Sequence, residues 1–470
     1  MAENLIISVS GMRGVVGENL TPIVAAEYGS AFGTFLRSSI DTGGRPFTIC
    51  IGRDSRVSGP MLMSAVTAGL CAVGIDVIDL GVVPTPSVGI MLRRLGCEGG
   101  IIITASHNPI PYNGIKLLLS NGMAPPPATA NEIRRTFWDR HFHFVSSERC
   151  GKVTYNTETD RVHVEKVLGV VDAQRIAAKR YRVVLDSVNG AGAEITKILL
   201  AELGCDVVAV NDEPTGLFAH QPEPTAANLT GLCWRVKQEH ADLGFAQDPD
   251  ADRLAIVDEK GNYIGEEYTL ALAALQVFSQ RSGPAAANLS TSRMIDDVAR
   301  RAGGSVIRTP VGEANVANAM IEHNCIIGGE GNGGVIDLRV GPIRDSLVGI
   351  GLVLQLMAET GKSIGQLVQE IGGYSMYKDK FAADAQQARQ IQELAVARFD
   401  DATMNVSDGL RLDFPDGWIH LRTSNTEPVM RVIVEAKDEP AARRYLQAIS
   451  DIRQSVLPPN TTRDEPVSNS

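Results

Sequence analysis

The sequence predicts three tandem α/β units followed by a smaller α+β domain, and three observations carry that prediction. The chain has 470 residues, more than one hydrophobic core can organise. Short apolar runs alternate with helix-length amphipathic segments through most of it. The last hundred or so residues instead read as hairpin strands flanked by two helices.

The elements follow in order. Residues 5–9 read as a short apolar strand, and Thr21-Pro22 starts a helix, a hydroxyl cap followed by proline in the first turn. Residues 47–51 form a second strand, which ends in Gly52-Arg53-Asp54-Ser55-Arg56. A helix over 60–73 is stopped by Gly74, and 76–80 and 86–95 read as strand and helix. Residues 99–104, through Ile101-Ile102-Ile103, are apolar on both faces and suit a central strand of a doubly wound α/β layer.

The pattern then recurs. Strands are expected at 181–186, 206–210 and 241–247, with a helix between Gly192 and Gly204. After a hairpin turn at 258–261 come an amphipathic helix over 266–280 and strands near 285–290, 305–308 and 325–328. In the last domain, 383–399 and 439–455 read as helices, 410–414 and 418–422 as a hairpin around Pro415-Asp416-Gly417, and 430–435 as a strand. The tail from Pro458 is polar and proline-containing and reads as disordered.

Composition narrows the function classes. The formal net charge of -11 argues against a nucleic-acid partner, which needs a basic surface. No apolar run reaches the ~20 residues of a membrane span, and the N-terminus lacks the basic start of a secretory signal. The seven cysteines are scattered, with no Cys-x-x-Cys pair, which fits reduced core thiols in a cytoplasmic protein.

Chemistry concentrates in three motifs. In Asp248-Pro249-Asp250-Ala251-Asp252-Arg253, proline excludes a helix interior, and alternate carboxylates of an extended segment would point the same way. Three like charges beside apolar flanks are costly without a cation, and hard oxygen ligands select Mg²⁺ or Ca²⁺. The competing readings are a solvated acidic turn and an EF-hand loop ending at Glu259; the latter has Arg253 where glycine is required. Thr104-Ala105-Ser106-His107-Asn108-Pro109 follows the buried strand, where ligands of open α/β sheets bind, although these residues also form plain turns. In Arg422-Thr423-Ser424-Asn425-Thr426-Glu427-Pro428, with Arg431 beyond, guanidinium groups match phosphate; a polar hairpin exit is the alternative. Ser10-Gly11-Met12-Arg13-Gly14, Asn113-Gly114-Ile115-Lys116, Gly312-Glu313 and the glycine-rich run 328–334 are weaker signals, since glycines mark ordinary turns as well as ligand loops.

Taken in order, these motifs closely resemble those of the α-D-phosphohexomutases: phosphoglucomutase, phosphomannomutase and phosphoglucosamine mutase. The resemblance covers nearly the whole chain. It implies four domains around a central cleft, three of them α/β with mixed sheets sandwiched by helices. The implied division is 1–155 (phosphoserine loop), 156–258 (metal loop), 259–371 (sugar loop) and 372–457 (phosphate loop), with a disordered tail at 458–470.

The resemblance further implies that Ser106 is carried as phosphoserine and that it holds Mg²⁺ together with Asp248, Asp250 and Asp252. Ser106 would give its phosphoryl group to a sugar phosphate, forming a bound hexose 1,6-bisphosphate. Lys116 would be the general acid/base, and Arg13, His107 and Arg253 would lie beside the transferring group. Glu313, Glu330 and Asn332 would contact the sugar, and Arg422, Ser424, Asn425, Thr426 and Arg431 the distal phosphate. Two departures stand out. Asn332 and Gly334 replace the serine and histidine common in the sugar loop, and Glu313 follows Gly312 where several members have histidine. The Gly-Glu-x-Asn-Gly-Gly loop is similar to archaeal-type and phosphoglucosamine-mutase-like members. The rival reading is a non-catalytic sugar-phosphate-binding relative, which would not need the serine, the three aspartates and Lys116 together.

Overall fold

The computed structural model describes residues 5–9, 11–423 and 429–457 and the backbone of Ser468–Asn469. The chain divides into two compact units. One comprises the chain to Ile264 with Gly333–Gly365, and the other Gly265–Asn332 with the chain from Gln366 onward.

The first unit holds two sheets. Its seven-stranded sheet contains β1 (Ile6–Ser8), β2 (Gly11–Val15), β3 (Thr48–Arg53), β4 (Asp76–Val82), β5 (Gly99–Ile103), β6 (Tyr112–Leu119) and β7 (Val153–Tyr155), in the order β1-β2-β6-β5-β3-β4-β7. Strands β5, β3, β4 and β7 run parallel, as expected of βαβ units. The other three are antiparallel additions, so the sheet is mixed, as expected for the α/β domains. The two segments read as loops, 10–14 and 113–116, lie largely in β2 and β6. Gly11 explains why a strand there looks like a turn. It pairs with Lys116 at φ +123°, and a Cβ on it would lie 2.1 Å from the Ile115 carbonyl oxygen.

Sequence cues set the helices that cover this sheet. Thr21 caps the helix Pro22–Ser39 by accepting from the Val24 N–H, and Gly74, at φ +76°, follows the helix Gly59–Ala72. Both helices pack on the core formed by Ile49, Ile51, Ile101, Ile103, Ile115 and Leu117. The second sheet contains β8 (Arg182–Asp186), β9 (Asp206–Val210), β10 (Leu243–Gln247) and β11 (Leu254–Val257), in the order β11-β10-β8-β9, with only β11 antiparallel.

In the second unit, β12 (Ala285–Asn288), β13 (Val306–Thr309) and β14 (Ile327–Glu330) are parallel, with β12 central. The chain returns to the first unit through β15 (Gly334–Ile336) and the helix Ser346–Thr360, which packs on the helices Thr159–Leu168 and Ala173–Ala177. The remaining sheet is antiparallel: β17 (Thr403–Asn405), β18 (Leu410–Phe414), β19 (Gly417–Thr423), β20 (Val429–Ala436) and β16 (Ser375–Ala382) in that order. Two helices, Ala385–Arg398 and Glu439–Val456, cover its apolar face. Of the tail read as disordered, Ser468–Asn469 pair with Tyr377 and Lys378, and 458–467 and 470 lie outside the described residues. All seven cysteines are free, but Cys150 is exposed and Cys71, Cys205 and Cys233 are only partly buried, which corrects the reading of all as core thiols. Among the described residues, no single helix is long and apolar enough to cross a membrane.

Candidate active site

Two loops, each at the carboxyl end of a parallel strand, build a candidate site in the first unit. The loop after β5 carries Ser106, whose φ of +50° is uncommon for a residue with a side chain. Four attachments hold it there. The Ser106 N–H donates to Thr104 Oγ1 at 2.8 Å, and the fully buried Arg56 guanidinium donates to the carbonyls of Ser106, Asn108, Pro109 and Tyr112 at 2.6–2.9 Å. Asp54 accepts from both Arg56 Nε (3.0 Å) and Thr104 Oγ1 (2.6 Å). Arg13, from β2, donates to Asn108 Oδ1 at 2.7 Å.

The loop joining β10 to β11 carries the aspartates, and it is a tight turn where the sequence suggested an extended segment. Ala251 sits at φ +53°, its N–H donates to the Asp248 carbonyl, and the N–H groups of Asp252 and Arg253 both donate to Asp248 Oδ1 at 3.1 Å. Convergence therefore comes from the turn and not from strand alternation. The carboxylates of Asp248, Asp250 and Asp252 are all buried and offer ligand atoms within 4.8 Å of one another. Glu259 lies elsewhere, accepting from Ser363 Oγ and the Gly365 N–H, so the EF-hand reading fails.

The two loops meet where Ser106 Oγ donates to Asp248 Oδ2 at 2.8 Å. From β6, Lys116 Nζ reaches Asp250 Oδ2 at 2.7 Å and Asp252 Oδ2 at 3.8 Å. Thr85 Oγ1 also donates to Asp250 Oδ2 (2.7 Å), and Arg344 to Asp252 Oδ2 (2.6 Å). Burial works to raise Asp250, but the Lys116 ammonium and these hydrogen bonds outweigh it and hold Asp250 below the usual carboxylate range. Burial and the two neighbouring carboxylates push Asp248 well above that range. His107 Nδ1 lies 3.3 Å from Ser106 Oγ. Burial, with Arg253 and Arg13 nearby, holds its imidazole down to about 2, so it is neutral. Arg253 contacts Glu223 at 3.5 Å, and Glu223 is 3.8 Å from His107 Nε2.

The donor set fits a hard divalent cation. Asp250 Oδ1 and Asp252 Oδ1 are buried without a hydrogen-bonding partner, a costly arrangement that a metal ion would relieve.

In the second unit the carboxyl ends of its parallel strands converge on Glu330. Glu330 Oε1 accepts from Asn288 Nδ2 at 2.8 Å and from the Gly312 N–H at 3.1 Å. Glu313 begins the helix Glu313–Glu322 just after Gly312, and Asn332 Oδ1 is buried with no partner. Arg422 and Arg431 are direct cross-strand neighbours on β19 and β20, and Arg422 lies 3.3 Å from Asp408. Ser424, Asn425 and Thr426 lie outside the described residues.

Sequence reasoning missed Arg56, Asp54, Thr85, Arg344, Glu223 and Asn288. The run Gly52–Arg56 ends a strand, and the strand-end rule that drew attention to Ser106 applies to it equally. Arg344 sits in an irregular segment with no motif around it.

A serine hydroxyl against a buried carboxylate triad, on tandem α/β sheets, defines a phosphoryl-transfer class of enzyme. Family comparison matches the phosphoglucomutase/phosphomannomutase alpha/beta/alpha domains I, II and III over residues 5–143, 161–261 and 265–374, and the C-terminal domain over 379–452. A "Phosphoglucomutase/phosphomannomutase" of Thermococcus kodakarensis is 39% identical, the match covering 93% of this chain and 96% of that protein. A "Probable phosphoglucosamine mutase" of Methanopyrus kandleri is 37% identical, covering 94% and 96%. The crystal structure of a phosphoglucomutase/phosphomannomutase family protein from Burkholderia thailandensis superposes with a TM-score of 0.84 at 27% identity, covering 97% of this chain and 99% of that one. The chain belongs to the phosphoglucomutase/phosphomannomutase family and is an isomerase-class phosphotransferase with its four-domain α/β architecture.

Proposed function

We propose that this enzyme interconverts hexose 6-phosphates and hexose 1-phosphates in the cytoplasm, with Ser106 as the phosphoryl carrier. The observation that carries the reading is the 2.8 Å contact of Ser106 Oγ with Asp248 in a triad holding two buried oxygens that accept no hydrogen bond. Phosphorylated Ser106, Asp248, Asp250 and Asp252 would hold one Mg²⁺, which when bound supplies positive charge to the phosphoryl oxygens.

In the first half-reaction the Ser106 Oγ–P bond breaks as a free sugar hydroxyl bonds to phosphorus. Lys116 relays the proton, its ammonium giving one to the departing Ser106 Oγ and taking the sugar hydroxyl's in return, and Arg13 and Arg253 balance the charge on the transferring group. The hexose 1,6-bisphosphate then turns end for end, and Ser106 Oγ takes back the other phosphoryl group. Throughout, Arg422 and Arg431, with Ser424, Asn425 and Thr426, hold the distal phosphate. Two like charges facing each other across a strand pair favour an anion between them, which supports that role. Glu330, oriented by Asn288 and Gly312, with Glu313 and Asn332, would read the sugar hydroxyls or a 2-amino group.

The test is turnover of glucosamine 6-phosphate, mannose 1-phosphate and glucose 1-phosphate with Mg²⁺ and a hexose bisphosphate activator. Conversion of at least one to its positional isomer is expected. Failure on all three refutes the assignment.

A further inference from the structure

Away from the reacting groups, a second polar cluster is sealed inside the first unit. His163, on the helix Thr159–Leu168, lies with Nδ1 2.8 Å from Ser87 Oγ and Nε2 2.7 Å from Asp345 Oδ2. All three residues are at most 2% exposed. A carboxylate has no proton to give, so Nε2–H donates to Asp345, and the imidazole bridges the elements that carry Ser87 and Asp345. The arrangement resembles a serine–histidine–aspartate relay in outline, but its burial leaves no room for a substrate at Ser87.

What the imidazole joins is informative. Ser87 lies two residues after Thr85 in the helix Thr85–Leu95, and Thr85 holds Asp250 twice: its N–H to the carbonyl (3.0 Å) and its Oγ1 to Oδ2 (2.7 Å). Asp345 caps the helix Ser346–Thr360 by accepting from the Leu347 and Val348 N–H groups. Its neighbours hold the rest of the aspartate turn: Ser346 donates from Oγ to the Ala251 carbonyl (2.7 Å), and Arg344 donates to Asp252 Oδ2 (2.6 Å). The turn between these two grips contains Ala251 at φ +53°, a conformation that persists only where the surroundings impose it.

We propose that His163 is a positioning residue for the metal-binding turn. By fixing the spacing of the two helix N-termini that grip Asp250, Ala251 and Asp252, it presents Asp250 Oδ1 and Asp252 Oδ1, which accept no hydrogen bond, to one cation. The inference rests on the cation site argued above. Fully satisfied buried networks of this kind are rigid, and groups that orient metal ligands shift affinity by about 10–100-fold when removed.

The test measures Mn²⁺ binding to the full chain by electron paramagnetic resonance, with no substrate present, alongside circular dichroism and thermal unfolding. His163→Gln cannot bridge both partners. Ser87→Ala removes one hydroxyl and is the milder change, so it decides the matter if the histidine variant does not fold. Asp250→Asn tests the cation site itself. Expected is Mn²⁺ binding weakened about 10-fold or more by His163→Gln and by a smaller factor by Ser87→Ala, in chains that keep their secondary structure. Lower thermal stability with unchanged Mn²⁺ affinity means a merely structural histidine and overturns the inference alone. If the unsubstituted chain binds no Mn²⁺, or Asp250→Asn binds it equally well, the cation site falls and this inference with it.

Discussion

Ser106 Oγ donates to Asp248 Oδ2 across 2.8 Å, joining two loops 142 residues apart in the chain. Each loop ends a parallel strand, and each contains a side-chain-bearing residue at positive φ, Ser106 in one and Ala251 in the other. Strained backbone in both loops of one contact is what a site with imposed geometry displays. The contact joins a serine hydroxyl to a group of carboxylates placed to hold a cation beside it.

Replacing Ser106 with alanine therefore removes the proposed phosphoryl carrier while sparing the fold, since the N–H and carbonyl that anchor the loop are retained. Turnover should fall by about 10³-fold or more, with thermal stability little changed. Intact-mass analysis should show one phosphoryl group on the unsubstituted protein and none on the variant. Near-normal turnover by the variant would remove Ser106 from the mechanism.

The aspartate triad predicts a metal effect on stability that needs no substrate. Binding of Mg²⁺ to the native state alone, at 100 times its Kd, stabilises by about 2.7 kcal/mol. The melting temperature after EDTA treatment should thus rise on adding Mg²⁺, and Asp252→Asn should blunt the rise. An identical response in both proteins would count against the triad as the binding site.

The structure also shows where sequence reasoning ran out. Strand β5 was legible because three consecutive isoleucines preceded by two glycines admit few other readings, and its end drew attention to Ser106. Strand β6 was not, because Asn113-Gly114 is a strong turn signal. Gly114 is instead wedged where a Cβ would lie 2.6 Å from the Thr104 carbonyl oxygen and 2.7 Å from that of Met12. The cost of missing β6 was the placement of Lys116, which stands opposite Ile102 in the sheet and so reaches Asp250. Strand β16 was hidden by Lys378-Asp379-Lys380, of which Lys378 is balanced by Glu266 and Glu267. The aspartates were legible as a chemistry but not as a geometry, because a turn set by Ala251 and by hydrogen bonds to Asp248 has no periodic signature. The grip of Arg344 on Asp252 is long-range, and nothing local announces it.

Glu267 gives the pH prediction. It is buried, accepts from the Ser292 N–H and lies 3.3 Å from Lys378; burial nevertheless pushes its carboxyl from 4.5 up to about 7. Between those values the native state keeps a proton that the unfolded chain has lost. The contribution to stability is therefore complete below pH 4.5 and is lost as pH rises through about 7, by roughly 3 kcal/mol in all. Glu267→Gln cannot ionise and still offers Ser292 an acceptor. Its unfolding free energy in urea, relative to the unsubstituted protein, should rise from pH 5 to pH 8. A difference that stays flat across that range contradicts the buried-proton account.

Arg56 offers the sharpest separation between holding a loop and holding a fold. Its guanidinium makes four bonds to carbonyls of the serine loop and one to Asp54, and a lysine ammonium, with three donors and no planar fork, cannot reproduce them. Arg56→Met would leave Asp54 buried without its counter-charge, costing about 3–5 kcal/mol, so loss of activity there would be ambiguous. Arg56→Lys keeps the charge beside Asp54 and releases only part of the loop. Displacing Ser106 by a fraction of an ångström costs alignment with the acceptor hydroxyl, for which about 10²-fold in kcat is the expected scale. The KM for the sugar phosphate should change little, because Arg56 touches none of the groups proposed to hold the sugar or its distal phosphate. A KM that rises while kcat stays put would mean that Arg56 serves binding, and that Ser106 keeps its place without it.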